Sequence, residues 1–307
     1  MLVSVCVISY NQEAFIAEAL DSILAQRVDF DIEIVISDDY STDDTPRIIE
    51  DYSNRFPDVV RFTGRTKNVG CIKNFFENLA ASRGQYVALL DGDDYWTDDR
   101  KLERQISVLE AEPDLGGVFH DAWIEDEASG QRRLRIGERK IDRTVGIHSL
   151  ILEKNISTST MTFRNCLDWS ALPEWALRAP VGDYPLALLV AGRGPWRYLP
   201  EVMSVYRSHG AGVWGGLSVE AQLEKDRGFL QLLEDHWEGE SLAETIRLKR
   251  RMLWRKGAIE AARGGDLGRA FRLLGRSGLA VWAGYPRVSL RKFFGAVRLG
   301  FGGKEGS

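Results

Sequence analysis

Short β-branched runs and stretches of helical period take turns along the first 120 residues. Residues 2–8 predict a strand, and the stretch that follows, NQEAFIAEALDSILAQ, puts Phe15, Ile16, Ala19, Leu20, Ile23 and Leu24 on one side of a helix. Residues 32–37 predict a second strand, and TDDTPRIIEDYSNRF a second helix, with acids and Pro46 at its start. Three more strands are predicted over 59–63, 85–90 and 117–120, separated by helices over 70–82 and 99–110. Strands spaced by helical segments of this length make βαβ units, hence a mostly parallel sheet covered on both faces. The chain is polar and irregular from about 121 to 145, an exposed excursion or hairpin, and mixes short helices and strands over 146–216. Beyond 217 the pattern is helical almost to the end. The predicted organisation is therefore an α/β domain over 1–216 and a helical region over 217–307, without internal repeats.

Three polar clusters follow three of these strands directly: SYNQE at 9–13, SDDYSTDDT at 37–45 and DGDDYW at 91–96. In an open parallel sheet the carboxyl ends of the strands line the crevice where ligands bind. Tyr10, Asp39, Asp91 and Asp93 are thus expected at one sheet edge. Crowded carboxylates repel one another by about 4 kcal/mol per pair at 4 Å and an effective dielectric near 20. Such an edge suits a cation, or an anion that arrives with one. Oxygen ligands favour Mg²⁺ or Mn²⁺, which commonly bind one or two carboxylates plus substrate phosphates.

Composition narrows the classes. The chain has 307 residues, 44% hydrophobic and 28% charged, ordinary for a globular protein with a full core. Cys6, Cys71 and Cys166 are odd in number and far apart, which argues against a disulfide framework or a CxxC metal site and for a reducing compartment. MLVSVCVISYNQ lacks a basic n-region, and no window reaches the length of a membrane span, so a cytoplasmic location is expected. The sequon at Asn155 carries no meaning without secretion. The net charge of −5 hides an asymmetry: residues 247–307 hold 15 Lys and Arg against 3 Asp and Glu, leaving 25 against 42 for the rest. An acidic body with a basic tail is not a nucleic-acid-binding core, but the tail suits an anionic surface.

Other motifs fail. An EF-hand loop starting at Asp91 would have Trp96 where Gly is needed and Leu102 where Glu is needed. No P-loop occurs. The one GxGxxG, GAGVWG at 210–215, is followed by the helical EKDRGFLQLLEDHW instead of a second strand ending in an acid. No Ser/His/Asp or Cys/His signature is recognisable.

In order and spacing, VSVCVISYNQEAFIAEALDSILAQ, EIVISDDYSTDDT, TKNVGCIKNF and YVALLDGDDYWTDDRKL resemble successive motifs of the family-2 glycosyltransferases. The resemblance runs through about the first 110 residues, continues more loosely to about 215, and leaves the last 90 outside it. It implies a GT-A-like (Rossmann-like) α/β fold with a mostly parallel central sheet flanked by helices. It also implies inverting transfer of a sugar from a nucleotide diphosphate donor to a saccharide, lipid-linked or other hydroxyl acceptor, with Mn²⁺ or Mg²⁺ as cofactor. Tyr10 resembles the aromatic beside the nucleobase, next to Ser9. Asp39 resembles the carboxylate that accepts from the base, and Glu13 a donor-site acid. Lys67, Asn68 and Gly70 match the loop beside the nucleotide. Asp91 is implied near the ribose and Asp93 on the metal, with Asp94 beside them; Tyr95 and Trp96 are implied as walls of the sugar pocket. Asp43 and Asp44 read as dipole partners of the second helix, Asp98 and Asp99 as caps of the fourth.

Inverting transfer needs a general base and charge stabilisation on the leaving phosphate. Asp183, in APVGDYPLALLVAG, resembles the family's catalytic acid, although a single acid stands where a pair is commoner, and a plain N-cap would look much the same. VYRSHGAGVW, at 205–214, resembles the loop whose His reaches the metal or diphosphate, implying His209 as a ligand, Arg207 as a phosphate contact and the segment as a lid. The basic tail reads either as a helical subdomain on the core or as a peripheral attachment to the inner face of an anionic membrane. Two other classes stay open: a sugar-nucleotide-binding protein without transferase activity, and a sugar-phosphate nucleotidyltransferase. The latter would be expected to show a Gly-rich, Arg/Lys-bearing N-terminal loop, and SYNQE has none.

Overall fold

The computed structural model describes residues 2–137, 141, 143–153, 156–210, 216–237 and 241–277. Residues 211–215 of the GxGxxG stretch, the sequon asparagine and the tail from 278 onward lie outside the described residues. The chain divides into two compact units between Gly216 and Leu217.

The first unit opens with β1 (Leu2–Ser9), α1 (Ile16–Leu24), β2 (Asp31–Asp38), α2 (Thr45–Arg55), β3 (Val60–Gly64), α3 (Cys71–Ala80) and β4 (Tyr86–Asp91). It continues with β5 (Tyr95–Trp96), α4 (Lys101–Ala111), β6 (Gly117–Asp126), β7 (Arg132–Leu134), β8 (Thr144–Val145), α5 (Ile147–Glu153) and β9 (Thr162–Arg164). It closes with α6 (Glu174–Leu177), α7 (Asp183–Ala191) and β10 (Trp196–Ser208). The strands make one sheet in the order β3-β2-β1-β4-β9-β6-β10-β5, with β7 on β6 and β8 on β10. β3, β2, β1 and β4 run parallel, as do β6 and β10, while β9 runs antiparallel between β4 and β6. The 121–145 excursion is partly sheet: β6 extends to Asp126 and pairs with β7 as a hairpin.

Strand period explains the two covered faces. Val3, Val5 and Val7 join Ile34, Ile36, Ala88 and Leu90 in a core with Ile16, Leu20 and Ile23 of α1, Ile49 of α2, and Leu102 and Ile106 of α4. The intervening positions point the other way, toward α3. There the Cys6 thiol is buried, and Asn78 Nδ2 donates to the Val7 carbonyl at 2.5 Å. Burying a side chain of this size is worth about 1.5–3 kcal/mol, so a one-residue slip of β1 would forfeit several such terms at once.

The chain steps from β1 to β2 to β3, then returns to place β4 on the other side of β1. That reversal is a topological switch point, the location where open α/β sheets hold ligands.

The second unit is helical: α8 (Val219–His236), α9 (Ser241–Arg263) and α10 (Leu267–Ser277). Ala258, Ala262, Ala270 and Leu273 pack at its α9–α10 seam. Within it the Trp254 ring meets the guanidinium of Arg227 at 4.3 Å and that of Arg276 at 5.0 Å. No described helix is long and apolar enough to cross a membrane.

Candidate active site

Register brings the three polar clusters together. Ser9 pairs with Asp38, and Ile8 with Asp91, so the tips of β2, β1 and β4 stand side by side. The first two loops are tied to each other. Asn11 N donates to Ser41 Oγ at 2.8 Å, Thr42 N to Asn11 Oδ1 at 2.8 Å and Gln12 N to Thr45 Oγ1 at 2.8 Å. Asn11 and Tyr40 take left-handed backbone angles, with φ of 51° and 65°, which the closure of these loops holds in place. The side chains of Tyr10 and Tyr40 are left about half exposed at the rim.

Several of the expected donor-site side chains also bond within the loops. Ser9 Oγ donates to Asp38 at 2.9 Å, and Asp38 also accepts from Ser41 N, so both residues lock the turn. Asp39 is 3% exposed and accepts from Val69 N at 2.7 Å and Gly70 N at 2.9 Å, while Asn68 Nδ2 donates to the Asp39 carbonyl at 3.0 Å. Asp39 thus clasps the 68–70 loop, and Lys67 beside it is exposed. Glu13, expected as a donor-site acid, accepts from Asp44 N at 2.8 Å and braces the entry to α2. Asp44, at the N-cap of α2, pairs with Arg47 of its first turn. Asp98 and Asp99 lie ahead of α4 without capping it, because its N-cap is Arg100: Asp98 accepts from Arg100 N at 2.8 Å, and Asp99 pairs with Arg27.

Trp96 needs correction, and two other expected donor-site side chains are held by the protein itself. Trp96 is 4% exposed and belongs to the apolar core, donating from Nε1 to the Ser159 carbonyl with Lys101 Nζ 4.1 Å from its ring centre, so it cannot wall a sugar pocket. Its place in β5, paired antiparallel with β10, turns the indole inward. Arg207 is 9% exposed and lies between the rings of Phe15 and Tyr95. Its guanidinium bonds to Glu18 and, at 2.8 Å, to the Asp93 carbonyl. It positions Asp93. Asp94 is wholly buried and accepts from Arg207 N at 3.0 Å; burial, then the charges of Asp93 and Asp91, push its pKa well above the carboxylate range. It is part of the same scaffold.

What remains at the mouth is a compact acidic set. His209 Nε2 lies 2.9 Å from Asp93 Oδ2, as the end of β10 reaches back to the tip of β4. Residues 205–208, expected in a lid, are instead the last strand residues leading to this contact. The hydrogen bond to Asp93 raises the His209 pKa, and its ring packs 5.3 Å from Phe15. Burial, the Asp93 charge and the Asp183 charge push Asp91 above the usual range, against a hydrogen bond from the Thr158 hydroxyl. Asp183 opens α7 and accepts from Tyr184 N at 2.7 Å; the N-cap is Gly182, so the capping reading does not hold. A Cβ on Gly182 would come within 2.5 Å of the Phe75 ring, which seats the start of α7 directly on α3.

Sequence reading missed Glu18, Phe15, Thr158 and Cys71 as parts of this site. Glu18 and Phe15 sit in a helix period that signals packing only, and Thr158 lies in NISTST, which has no periodicity at all.

No group of three or more His, Cys, Asp or Glu side chains able to enclose a metal occurs among the described residues. Asp93 and His209 do fit an ion that completes its shell with phosphate oxygens; Asp91 beside them is raised first by burial and then by the Asp93 charge, the second of which a cation would relieve. Gly92, between the two acids, is tightly packed. A Cβ there would stand 2.5 Å from Gln12 Oε1, 2.9 Å from Ile16 Cδ1 and 3.2 Å from the Ile8 carbonyl. Gly92→Ala is expected to destabilise the first unit by about 1–3 kcal/mol, the usual cost of overpacking, read as a lower midpoint in urea unfolding; an unchanged midpoint would show that the turn yields freely.

Comparison with known proteins bears on the family and the fold. Residues 4–166 match the family model described as Glycosyl transferase family 2. The uncharacterized protein Rv1520 of Mycobacterium tuberculosis is 39% identical over 213 residues, covering 69% of this chain and 60% of that protein, so the chain spans less than two thirds of that relative's length. Among solved structures, S. aureus TarS 1-349 in complex with UDP-GlcNAc superposes with a TM-score of 0.63 at 17% identity, over 99% of this chain and 92% of that one. A mannosyltransferase, PcManGT from Pyrobaculum calidifontis, in complex with GDP-Man and Mn²⁺, gives a TM-score of 0.59 at 19% identity, over 99% and 88%. These two likenesses bear on the fold, which is GT-A. Sequence and fold together place this chain in glycosyl transferase family 2.

Proposed function

We propose that the chain transfers a sugar from a nucleoside diphosphate donor to an acceptor hydroxyl with inversion at the anomeric carbon. The observation that carries this reading is the convergence at the switch point: the tips of β1, β2 and β4 adjoin, and His209 returns from β10 to Asp93.

Tyr10 offers an aromatic face to the nucleobase. Asp39 reads the base edge with a lone pair left over from its clasp on the 68–70 loop, since a carboxylate has about four acceptor sites. That edge is N3–H of uracil, or a guanine edge, which makes a UDP-sugar the leading donor. UDP-GlcNAc and GDP-Man in the two solved relatives span these alternatives. Lys67, with Asn68 and Gly70 shaping its loop, steers the anionic donor, and Asp91 faces the ribose. Asp93 and His209 would hold Mn²⁺ or Mg²⁺, which when bound supplies charge stabilisation to the leaving diphosphate. Glu18 and Arg207 hold the Asp93 turn, and Asp183 takes the proton from the attacking hydroxyl.

A thermal-shift panel of UDP, GDP, CDP and ADP, each with and without Mn²⁺, tests the donor site, because a ligand that binds only the folded state stabilises it by mass action. At 100 times its Kd, the preferred nucleotide should add about 2.7 kcal/mol and need Mn²⁺ to do so. If all four nucleotides leave the midpoint unmoved, the donor reading fails.

A further inference from the structure

Beside the carboxylates lies a feature that these roles leave unused. A groove of about 730 Å³ runs between α3 and the chain from Trp169 to Pro180, within the size range of small-molecule sites. Ile72, Phe76 and Ala80 form one wall, and Trp169, Leu172 and Leu177 face them. It follows α3 from Cys71 to Ala80, about 13 Å at the helical rise.

Its inner end joins the candidate active site. Gly70 lines the groove and gives its N–H to Asp39, and Pro180, just ahead of Gly182 and Asp183, closes the far side. Cys71 belongs to both places: burial raises its thiol pKa, and the charges of Asp91, Asp183, Asp39 and Asp93 raise it further, so all four carboxylates lie within electrostatic reach of a groove residue. A ligand lying along α3 with its head at Cys71 has that head within electrostatic reach of the proposed base, whose helix starts against Phe75 of α3.

The polar groups of the walls are already engaged. Glu77 pairs with Arg65 at 2.5 Å and with Lys73 at 3.7 Å, and Ser170 Oγ donates to Asp168 at 2.6 Å. An occupant therefore meets carbon, and Leu177 leaves 48% of its surface exposed at the outer rim. A trough one helix wide is also too narrow to supply the roughly 800 Å² per partner of a stable protein interface.

We propose that this groove takes the hydrocarbon chain of a lipid-type acceptor, with the chain along α3 and its head-group hydroxyl at Asp183. The proposal rests on the transferase reading and narrows its acceptor to a molecule with a polar head and an alkyl or isoprenoid body.

The test uses full-length protein and n-alkyl β-glucosides from methyl to dodecyl, below their micelle concentrations, with binding followed by titration calorimetry. Affinity should rise by about fourfold per added methylene, as buried CH₂ groups require, up to the length of the groove. Leu177→Asp and Ile72→Asp, both at solvent-reaching positions, should weaken octyl glucoside by at least tenfold, leave methyl glucoside unchanged, and preserve the nucleotide thermal shift. Affinity that ignores chain length, or octyl binding untouched in both variants, would overturn the assignment. Light scattering in which Leu177→Asp splits a dimer, without a chain-length effect, would give the groove to a second copy and overturn it too. Chain-dependent binding by a protein that shifts with no nucleotide would refute the transferase reading, and the acceptor role with it.

Discussion

Replacing Asp183 by Asn is expected to slow sugar transfer by about 10²–10⁴-fold, the usual contribution of a general base, while nucleoside diphosphate binding stays at wild-type strength. The substitution keeps the side-chain shape and an oxygen that can accept from Tyr184 N, so the start of α7 keeps its local bond. The seat of α7 on α3 is made by Gly182 and Phe75, which the substitution does not touch. What is lost is the capacity to accept a proton. Initial rates and thermal shifts on the same preparations separate the two effects. Turnover equal to wild type would remove Asp183 from the chemistry and leave it as a first-turn acid worth about 0.3–1 kcal/mol through the helix dipole.

Asp93→Asn is expected to act on the donor instead. The Asp93 carbonyl, which anchors Arg207, is backbone and survives, so Glu18, Arg207 and the two flanking rings should stay in place. The amide cannot neutralise a divalent ion, and the Mn²⁺-dependent part of the nucleotide thermal shift should disappear, with transfer falling by at least about 10²-fold as leaving-group stabilisation is lost. Tm in Mn²⁺ alone, nucleotide alone and both together reads this directly. A full Mn²⁺ response in the variant would move the cation away from β4.

The strand–helix alternation was legible from periodicity because each element has one job: β1 is buried on both faces and α1 on one, and residue type follows burial. The joining of three strand tips was legible too, because it follows from parallel topology and needs no side-chain detail. The roles of individual acids were not. Asp39 and Glu13 stand at positions where a ligand contact and a backbone clasp call for the same carboxylate, and only coordinates show the N–H groups of Val69, Gly70 and Asp44 aimed at them. Trp96 misled because the resemblance implies a pocket wall for aromatics after the acidic turn; its two-residue pairing with β10, over 100 positions later, turns it to the core. Arg207 stands in VYRSHGAGVW, whose resemblance to the family loop beside the diphosphate implies a phosphate contact. Its partner, Glu18, lies 189 positions away on a helix face that carries no signal of charge pairing.

The late arrival of β10 has a consequence for how the protein is made. Translation delivers β1 through β4 first, and those strands can pair as soon as they leave the ribosome. Among the described residues β5 pairs with β10 alone, and the Asp93 turn is gripped by Arg207 and His209 from that same strand end. The segment that matches the family, 4–166, ends before all three of Asp183, Arg207 and His209. A nascent chain of that length carries the acids while lacking the clamp that orders them, so the site is finished by nearly the last residues of its unit to be synthesised.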